Sequence, residues 1–171
     1  MSVPVEIERK YVIKIPDLLL IAKCDGYTVS EIEQTYLESD PSVTHRVRRR
    51  AYKDRLVYTE TKKVRIDKIS SFEDEREIDE SDYLSLLELT KKGTRTLTKT
   101  RHTFVFSGQT FEVDIYPEWT HSCIMETELS SREAVVIMPL FVKVVAEVTG
   151  EKAYTNASMA HQFPDELILT E

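Results

Sequence analysis

The stretch Val5-Glu6-Ile7-Glu8-Arg9-Lys10 decides how the rest of the chain is read. As a strand, its side chains alternate between two faces. Glu6, Glu8 and Lys10 then share one face, and Val5, Ile7 and Tyr11 the other. Two carboxylates about two strand rises apart, roughly 7 Å, suit a hard divalent cation. The neighbouring ammonium suits an anion such as phosphate. By chance alone E-x-E-x-K arises in roughly a few per cent of chains of this length. Six residues by themselves therefore read as a solvated polar face on an edge strand.

The remaining chain supplies more strands of the same kind. After Val5–Ile13, and a short apolar helix over Leu18–Ala22, strands are expected at Glu31–Ser39, Val43–Ala51, Leu56–Val64 and Phe72–Asp79. Ser81-Asp82 caps a helix over Tyr83–Lys92, stopped by Gly93. Thr94–Phe106, Thr110–Pro117 and His121–Leu129 complete eight strands, the first two of these joined by the hairpin signal Ser107-Gly108-Gln109. Helices are expected from Ser130 to about Met138, over Leu140–Val145, and near Asn156–Gln162. Eight strands with short turns and interspersed helices predict an α+β fold, an antiparallel sheet or barrel with helices outside.

Totals narrow the function. At 171 residues the chain is read as a single domain spanning 1–171. Charged residues make up 31%, above the usual share of about a quarter. The net charge of −7 argues against a generic nucleic-acid or membrane-surface binder, because both ligands are anionic. Cys24 and Cys123 are the only cysteines; with no export signal before them they read as free thiols in a reducing cytoplasm. No apolar run approaches the length of a membrane span.

Sorting each strand by parity is the informative step. One face carries Thr44, Arg46, Arg48 and Arg50 in the third strand, and Tyr58, Glu60 and Lys62 in the fourth. It carries Glu73, Glu75 and Glu77 in the fifth, and Arg95, Lys99 and Arg101 in the sixth. The seventh has Glu112 and Asp114, the eighth Glu126 and Glu128. A solvent face explains any one strand. A wide sheet, however, tends to curl or close, and helices packed on its apolar outside leave the charges lining a polar tunnel. Such a lumen needs water, counter-charges or a ligand. Carboxylates for a hard cation beside arginines and lysines for phosphate oxygens point to a metal-bound polyphosphate. No P-loop or dinucleotide fingerprint is present, so side chains must hold the phosphates.

With those residues in place, the chain resembles the CYTH, or triphosphate tunnel metalloenzyme, superfamily. Glu6-x-Glu8-x-Lys10 resembles its opening signature, and Arg46-x-Arg48 its paired arginines. Lys62 in Glu60-Thr61-Lys62 resembles its following lysine, and Glu73-x-Glu75-x-Glu77 its acidic run. Lys99-Thr100-Arg101, Glu112-Val113-Asp114 and Glu126-x-Glu128 resemble its later motifs. The resemblance implies an eight-stranded antiparallel β-barrel, a tunnel with charged lumen and helices packed outside. It implies metal ligation by Glu6, Glu8, Glu126 and Glu128, with Mg²⁺ or Mn²⁺ as cofactor. Phosphate contacts fall to Lys10, Arg46, Arg48, Lys62, Lys99 and Arg101. Glu73 and Glu75 would serve a second metal or position the attacking water. The family's C-terminal plug motif is matched loosely by Lys152, Tyr154 and Asn156, with Ala153 where an arginine is common; Lys152 is carried as a further phosphate contact.

The expected activity is metal-dependent hydrolysis of a terminal phosphate from inorganic triphosphate or a related triphosphate, such as thiamine triphosphate or a nucleoside triphosphate. The alternatives are a CYTH-type adenylate cyclase and a non-catalytic polyphosphate or nucleotide-binding module. Partners are a triphosphate-containing small molecule, with neither nucleic acid nor membrane, in the cytoplasm. Exposed strand edges or helix faces leave room for a homodimer. Trp119 reads as a capping aromatic with a minor prospect of meeting a base or thiazole ring, and Tyr36 as a packing or lumen hydrogen-bonding group.

Overall fold

The structure is a computed structural model and describes residues 5–169. Its strands are β1 (Val5–Lys14), β2 (Asp25–Tyr36), β3 (Thr44–Ala51), β4 (Leu56–Arg65), β5 (Ser70–Ile78), β6 (Leu97–Phe106), β7 (Gln109–Ile115), β8 (Ser122–Glu128) and β9 (Val144–Glu147). The helices are α1 (Leu18–Ile21), α2 (Glu80–Leu87) and α3 (Asn156–His161), with a single 3₁₀ turn at Lys152–Tyr154.

All strand pairs are antiparallel, in the order β5-β4-β3-β2-β6-β7-β8-β1-β9, and β5 also pairs with β1. That last pairing joins Glu6 to Ser71 and closes eight strands into a ring, with β9 added on the second half of β1. Local chemistry fits each turn. Ser107 and Gly108 both have positive φ, 49° and 74°, the backbone that a two-residue hairpin between right-twisted strands requires. Gly26, at φ 63°, stands where the β2–β6 register shifts between Asp25 and Thr28, a bulge that helps the sheet bend. The Asp79 carboxylate accepts from the Asp82 amide at 2.8 Å and caps α2.

Apolar residues gather in three places. Tyr11, Ile13, Phe104, Phe111, Val113 and Met125 form a cluster outside the ring under α1 and the segment 136–142. Leu37, Val47, Ile78 and Tyr83 form a second cluster between the sheet and α2. The third lies inside the ring at one end. Val12 has the parity of Glu6, Glu8 and Lys10, Leu97 that of Lys99 and Arg101, and Ile124 that of Glu126, yet these three pack with Tyr36, Tyr116 and Trp119 against Met159 and Ala160 of α3. The interior is therefore divided, charged along part of its length and closed by an apolar plug at one end. Not every helix is outside.

The two helices expected over Ser130–Met138 and Leu140–Val145 do not form. The first stretch is turns and extended chain, and the second ends in β9. Val135, Val136 and Ile137 are β-branched and favour extended backbone. The Gln109 side-chain amide holds them so, donating to the Val135 carbonyl and accepting from the Ile137 amide, both at 2.7 Å. Val136, Met138 and Phe141 then pack on the outer cluster.

Candidate active site

The ring encloses a cavity of about 430 Å³. Its charges are sorted by strand. Glu112 on β7, Glu126 and Glu128 on β8, Glu6 and Glu8 on β1, and Glu73 and Glu75 on β5 make seven carboxylates on four consecutive strands of the ring. Lys63 and Arg65 on β4, Arg46, Arg48 and Arg50 on β3, and Arg101 on β6 make six cations on the other side, and Lys10 on β1 is a seventh set within the acidic wall. An acidic arc thus faces a basic arc.

Hairpin geometry decides which residues reach the lumen. The tight turn after β3 pairs Ala51 with Leu56, so Arg48 lies opposite Thr59, Arg46 opposite Thr61 and Thr44 opposite Lys63. Directly paired residues share a face. The lumen cations of β4 are therefore Lys63 and Arg65. Lys62, expected as a phosphate contact, is exposed on the outer face, because a one-residue slip in parity moves every side chain of a strand across the sheet. Tyr58 and Glu60 are likewise outside, where Glu60 accepts from Arg76 and pairs with His45.

On the acidic side Lys63 is the organising group. Its Nζ stands 3.1 Å from Glu6, 3.0 Å from Glu73 and 4.0 Å from Glu8. Burial, a hydrogen bond to Glu73 and the Glu73 charge push Glu6 up to about 7, against the pull of Lys63. Burial works on Glu73 in the same direction, but Arg46 and Lys63 outweigh it and hold that carboxyl low. Of the two acids, Glu6 is therefore the one that holds a proton more readily. Glu8 lies opposite Glu128 in the β1–β8 register. Glu126 belongs to a different group: it pairs with Lys10 at 2.7 Å and Arg101 at 3.4 Å. Burial opposes its charge, yet Lys10, Arg101 and Lys99 keep it well below the usual carboxylate range. The expected set of Glu6, Glu8, Glu126 and Glu128 is accordingly split, and Glu73 joins Glu6 and Glu8 instead. Among the described residues no three His, Cys, Asp or Glu side chains form a ready-made metal cage. The donor chemistry nevertheless suits Mg²⁺ or Mn²⁺, since three oxygen ligands already surround a cation, the Lys63 ammonium.

On the basic side Arg48 and Arg101 are held by buried polar partners. Arg48 donates through Nε and Nη2 to the Gln34 carbonyl, both at 3.3 Å, and the Gln34 amide donates to the Tyr36 hydroxyl at 2.6 Å. Burial, then Arg46 and Arg101, lower Arg48 to about 10. Arg101 makes two 2.7 Å bonds to Asp114, and also bonds Glu112. Lys99 is 2% exposed and lies beneath the cavity rather than on its lining, 2.5 Å from Asp114. Burial and then the Arg101 charge bring Lys99 down to about 7, against the pull of Asp114 and Glu126. Lys99 therefore supports Arg101 and Asp114 instead of facing a ligand. Lys152 is exposed on the 3₁₀ turn and also lies off the lining. The plug enters the site by other atoms: Thr155 and Asn156 line the cavity, and Lys10 donates to the Tyr154 carbonyl at 3.3 Å.

The structure thus brings Glu6, Glu8, Lys10, Arg46, Arg48, Glu73, Glu75, Arg101, Glu126 and Glu128 to one cavity, and leaves Lys62, Lys99 and Lys152 off it. Sequence reasoning missed Lys63, Arg65 and Gln34. For Lys63 a signal existed: the short β3–β4 turn sets odd β4 residues opposite even β3 residues. Trp119 is 5% exposed within the plug, where its indole donates to the Pro164 carbonyl, so it meets no ligand in the lumen.

No family model and no curated protein matches the chain. Solved structures do. The inorganic triphosphatase NE1496 is 28% identical, with 94% of this chain and 97% of that one covered at a TM-score of 0.58. The PH1819 protein of Pyrococcus horikoshii OT3 is 23% identical over 75% of this chain and 80% of its own, TM-score 0.58. HpAC1 of Hippeastrum, studied as an adenylyl cyclase and showing a dominant triphosphatase activity, is 16% identical over 74% and 81%, TM-score 0.50. The last two likenesses concern the fold.

Proposed function

We propose that this chain, which has the fold of the CYTH or triphosphate tunnel superfamily, is a metal-dependent triphosphatase that acts on inorganic triphosphate. The observation that carries the reading is the lumen itself, with seven carboxylates on one arc, six cations on the opposing arc and Lys10 set within the acidic one, around about 430 Å³. Anion binding alone would be weakened by that many carboxylates; a phosphate chain carried with a divalent cation uses both arcs. The 28% identity to an inorganic triphosphatase along nearly the whole chain supports the same chemistry.

In this reading Arg46, Arg48, Lys10 and Arg101 bind phosphate oxygens, with Gln34 and Asp114 fixing the two buried guanidinium groups. Glu6, Glu8 and Glu73 would hold Mg²⁺ or Mn²⁺, and Glu128 lies beside Glu8. Bound there, the cation supplies charge neutralisation at the phosphate oxygens. Glu75, which accepts from Thr61 at 2.8 Å, would orient the attacking water. The water oxygen bonds to the terminal phosphorus as the bond to the bridging oxygen breaks, giving orthophosphate and diphosphate. Arginine donors preset around the phosphate favour this step because they need no rearrangement as charge builds.

Tyr36 is the one aromatic on the lining among the described residues, and it sits at the floor. With no exposed ring for a base to stack on, inorganic triphosphate is preferred to ATP or thiamine triphosphate. A panel assay tests this: orthophosphate released from the three substrates with Mg²⁺ or Mn²⁺, with cyclic AMP measured alongside. Inorganic triphosphate turns over fastest and no cyclic AMP forms. Cyclic AMP as the main product from ATP, or binding of triphosphate without any product, would overturn the assignment.

A further inference from the structure

We infer that Lys63 is a tethered counter-cation which must leave the acidic wall before a divalent cation can enter, so that metal and triphosphate binding are coupled through one side chain. This rests on the reading above that β1 and β5 hold the metal.

The placement is specific. Lys63 is within 4.0 Å of all three of Glu6, Glu8 and Glu73. Among the described residues it is the single ion-pair partner of Glu6 and of Glu8. Its backbone is fixed on β4 directly opposite Glu73 on β5, while the four-carbon stem lets the ammonium move through several ångströms. Two cations cannot share these three carboxylates without strong repulsion, least of all where Lys63 is only 21% exposed. Lys63 must therefore swing away when a metal enters.

Of the other anions inside the lumen, Glu128 lies opposite Glu8 on the same acidic wall that the metal would occupy, and the rest are paired. Glu126 is held by Lys10 and Arg101, Glu112 by Arg101, and Glu75 stands 3.9 to 4.0 Å from Arg48 and Arg46. Away from that wall, the partner for the released ammonium is an incoming phosphate. Without triphosphate, displacement leaves a partly buried lysine unpaired and metal binding is weak. With it, the lysine gains a new partner and metal binding strengthens, and by linkage the metal strengthens triphosphate binding equally.

The test is Mn²⁺ affinity without substrate, read by electron paramagnetic resonance of free Mn²⁺. Lys63→Met binds Mn²⁺ at least tenfold more tightly than the wild-type chain, and Lys63→Arg binds as the wild type does. Unchanged or weaker binding by a Lys63→Met protein with a native circular dichroism spectrum overturns the gate and leaves the triphosphatase reading intact. Absence of Mn²⁺ binding in every variant, with triphosphate added, overturns both. A second measurement needs no methionine variant: Mg²⁺ alone, titrated into wild-type protein, shifts the Lys63 side-chain amine resonance, assigned by its loss in Lys63→Arg. A resonance that stays in place at saturating Mg²⁺ also refutes the gate.

Discussion

Asp114→Asn is the sharpest test of how the basic wall is built. Asp114 is 1% exposed and takes both guanidinium bonds of Arg101 at 2.7 Å, together with Lys99 at 2.5 Å. The asparagine keeps the shape but removes the charge that balances two buried cations. Breaking a buried pair from one side costs about 3–5 kcal/mol. The low end, about 3 kcal/mol, applies here, because Glu112 and Glu126 still reach Arg101 and Lys99, brought down to about 7, can shed its proton. For a chain of 171 residues, about 2–4 °C per kcal/mol makes this a fall in Tm of about 6–12 °C. Lys99→Met is the contrast. It removes the surplus cation and leaves the Arg101–Asp114 bonds in place, so stability changes by less than about 1 kcal/mol. Urea denaturation at pH 7 with matched m-values measures both. A cost below about 1 kcal/mol for Asp114→Asn, or a larger cost for Lys99→Met than for Asp114→Asn, would refute the account of which ion anchors the wall.

Three further outcomes follow from other parts of the molecule. Lys63→Ala lowers kcat/KM for triphosphate by about 10- to 100-fold, the worth of one charge-assisted bond of about 1.5–3 kcal/mol, whereas Lys62→Ala stays within about twofold; the reverse order in steady-state assays would restore the other strand parity. Arg101 and Lys99 hold Asp114 down at about 2 despite its burial, so its contribution to stability is complete above its unfolded value near 4 and is lost as pH falls toward 2; acid titrations of stability should fall less steeply between pH 4 and 2 in Asp114→Asn than in the wild type. Gly150 has φ 74° and a Cβ there would lie 2.9 Å from the Lys68 Cβ, so Gly150→Ala costs at least about 1 kcal/mol in the same denaturation assay.

Much of the ring was legible because alternation is a local property. Glu6-x-Glu8-x-Lys10, Arg46-x-Arg48 and Glu126-x-Glu128 each declare a charged face within a few residues, and all of these line the cavity. What escaped depends on partners far away in sequence. On β4 both parities carry charge, Glu60 and Lys62 against Lys63 and Arg65, so only pairing with β3 across the turn tells inside from outside. The segment after β8 has helix-like composition, but the Gln109 amide on β7 claims its backbone. Lys99 and Arg101 share a face, yet Lys99 lies lower, where Leu97 and the α3 plug shut out water. Strand alternation also cannot show where a charged interior becomes an apolar one. The change from Lys10 to Val12 and from Glu126 to Ile124 marks it once α3 is seen to enter the ring.

In the proposed reaction the opposing charged arcs hydrolyse a metal-bound triphosphate. Orthophosphate release from inorganic triphosphate, measured with Mg²⁺ or Mn²⁺ and again in excess chelator, for the wild type and for Glu6→Gln combined with Glu8→Gln, tests it most directly. Turnover is expected from the metal-supplied wild type alone, with a folded but inactive double variant. Full turnover in chelator, or by the double variant, would contradict it.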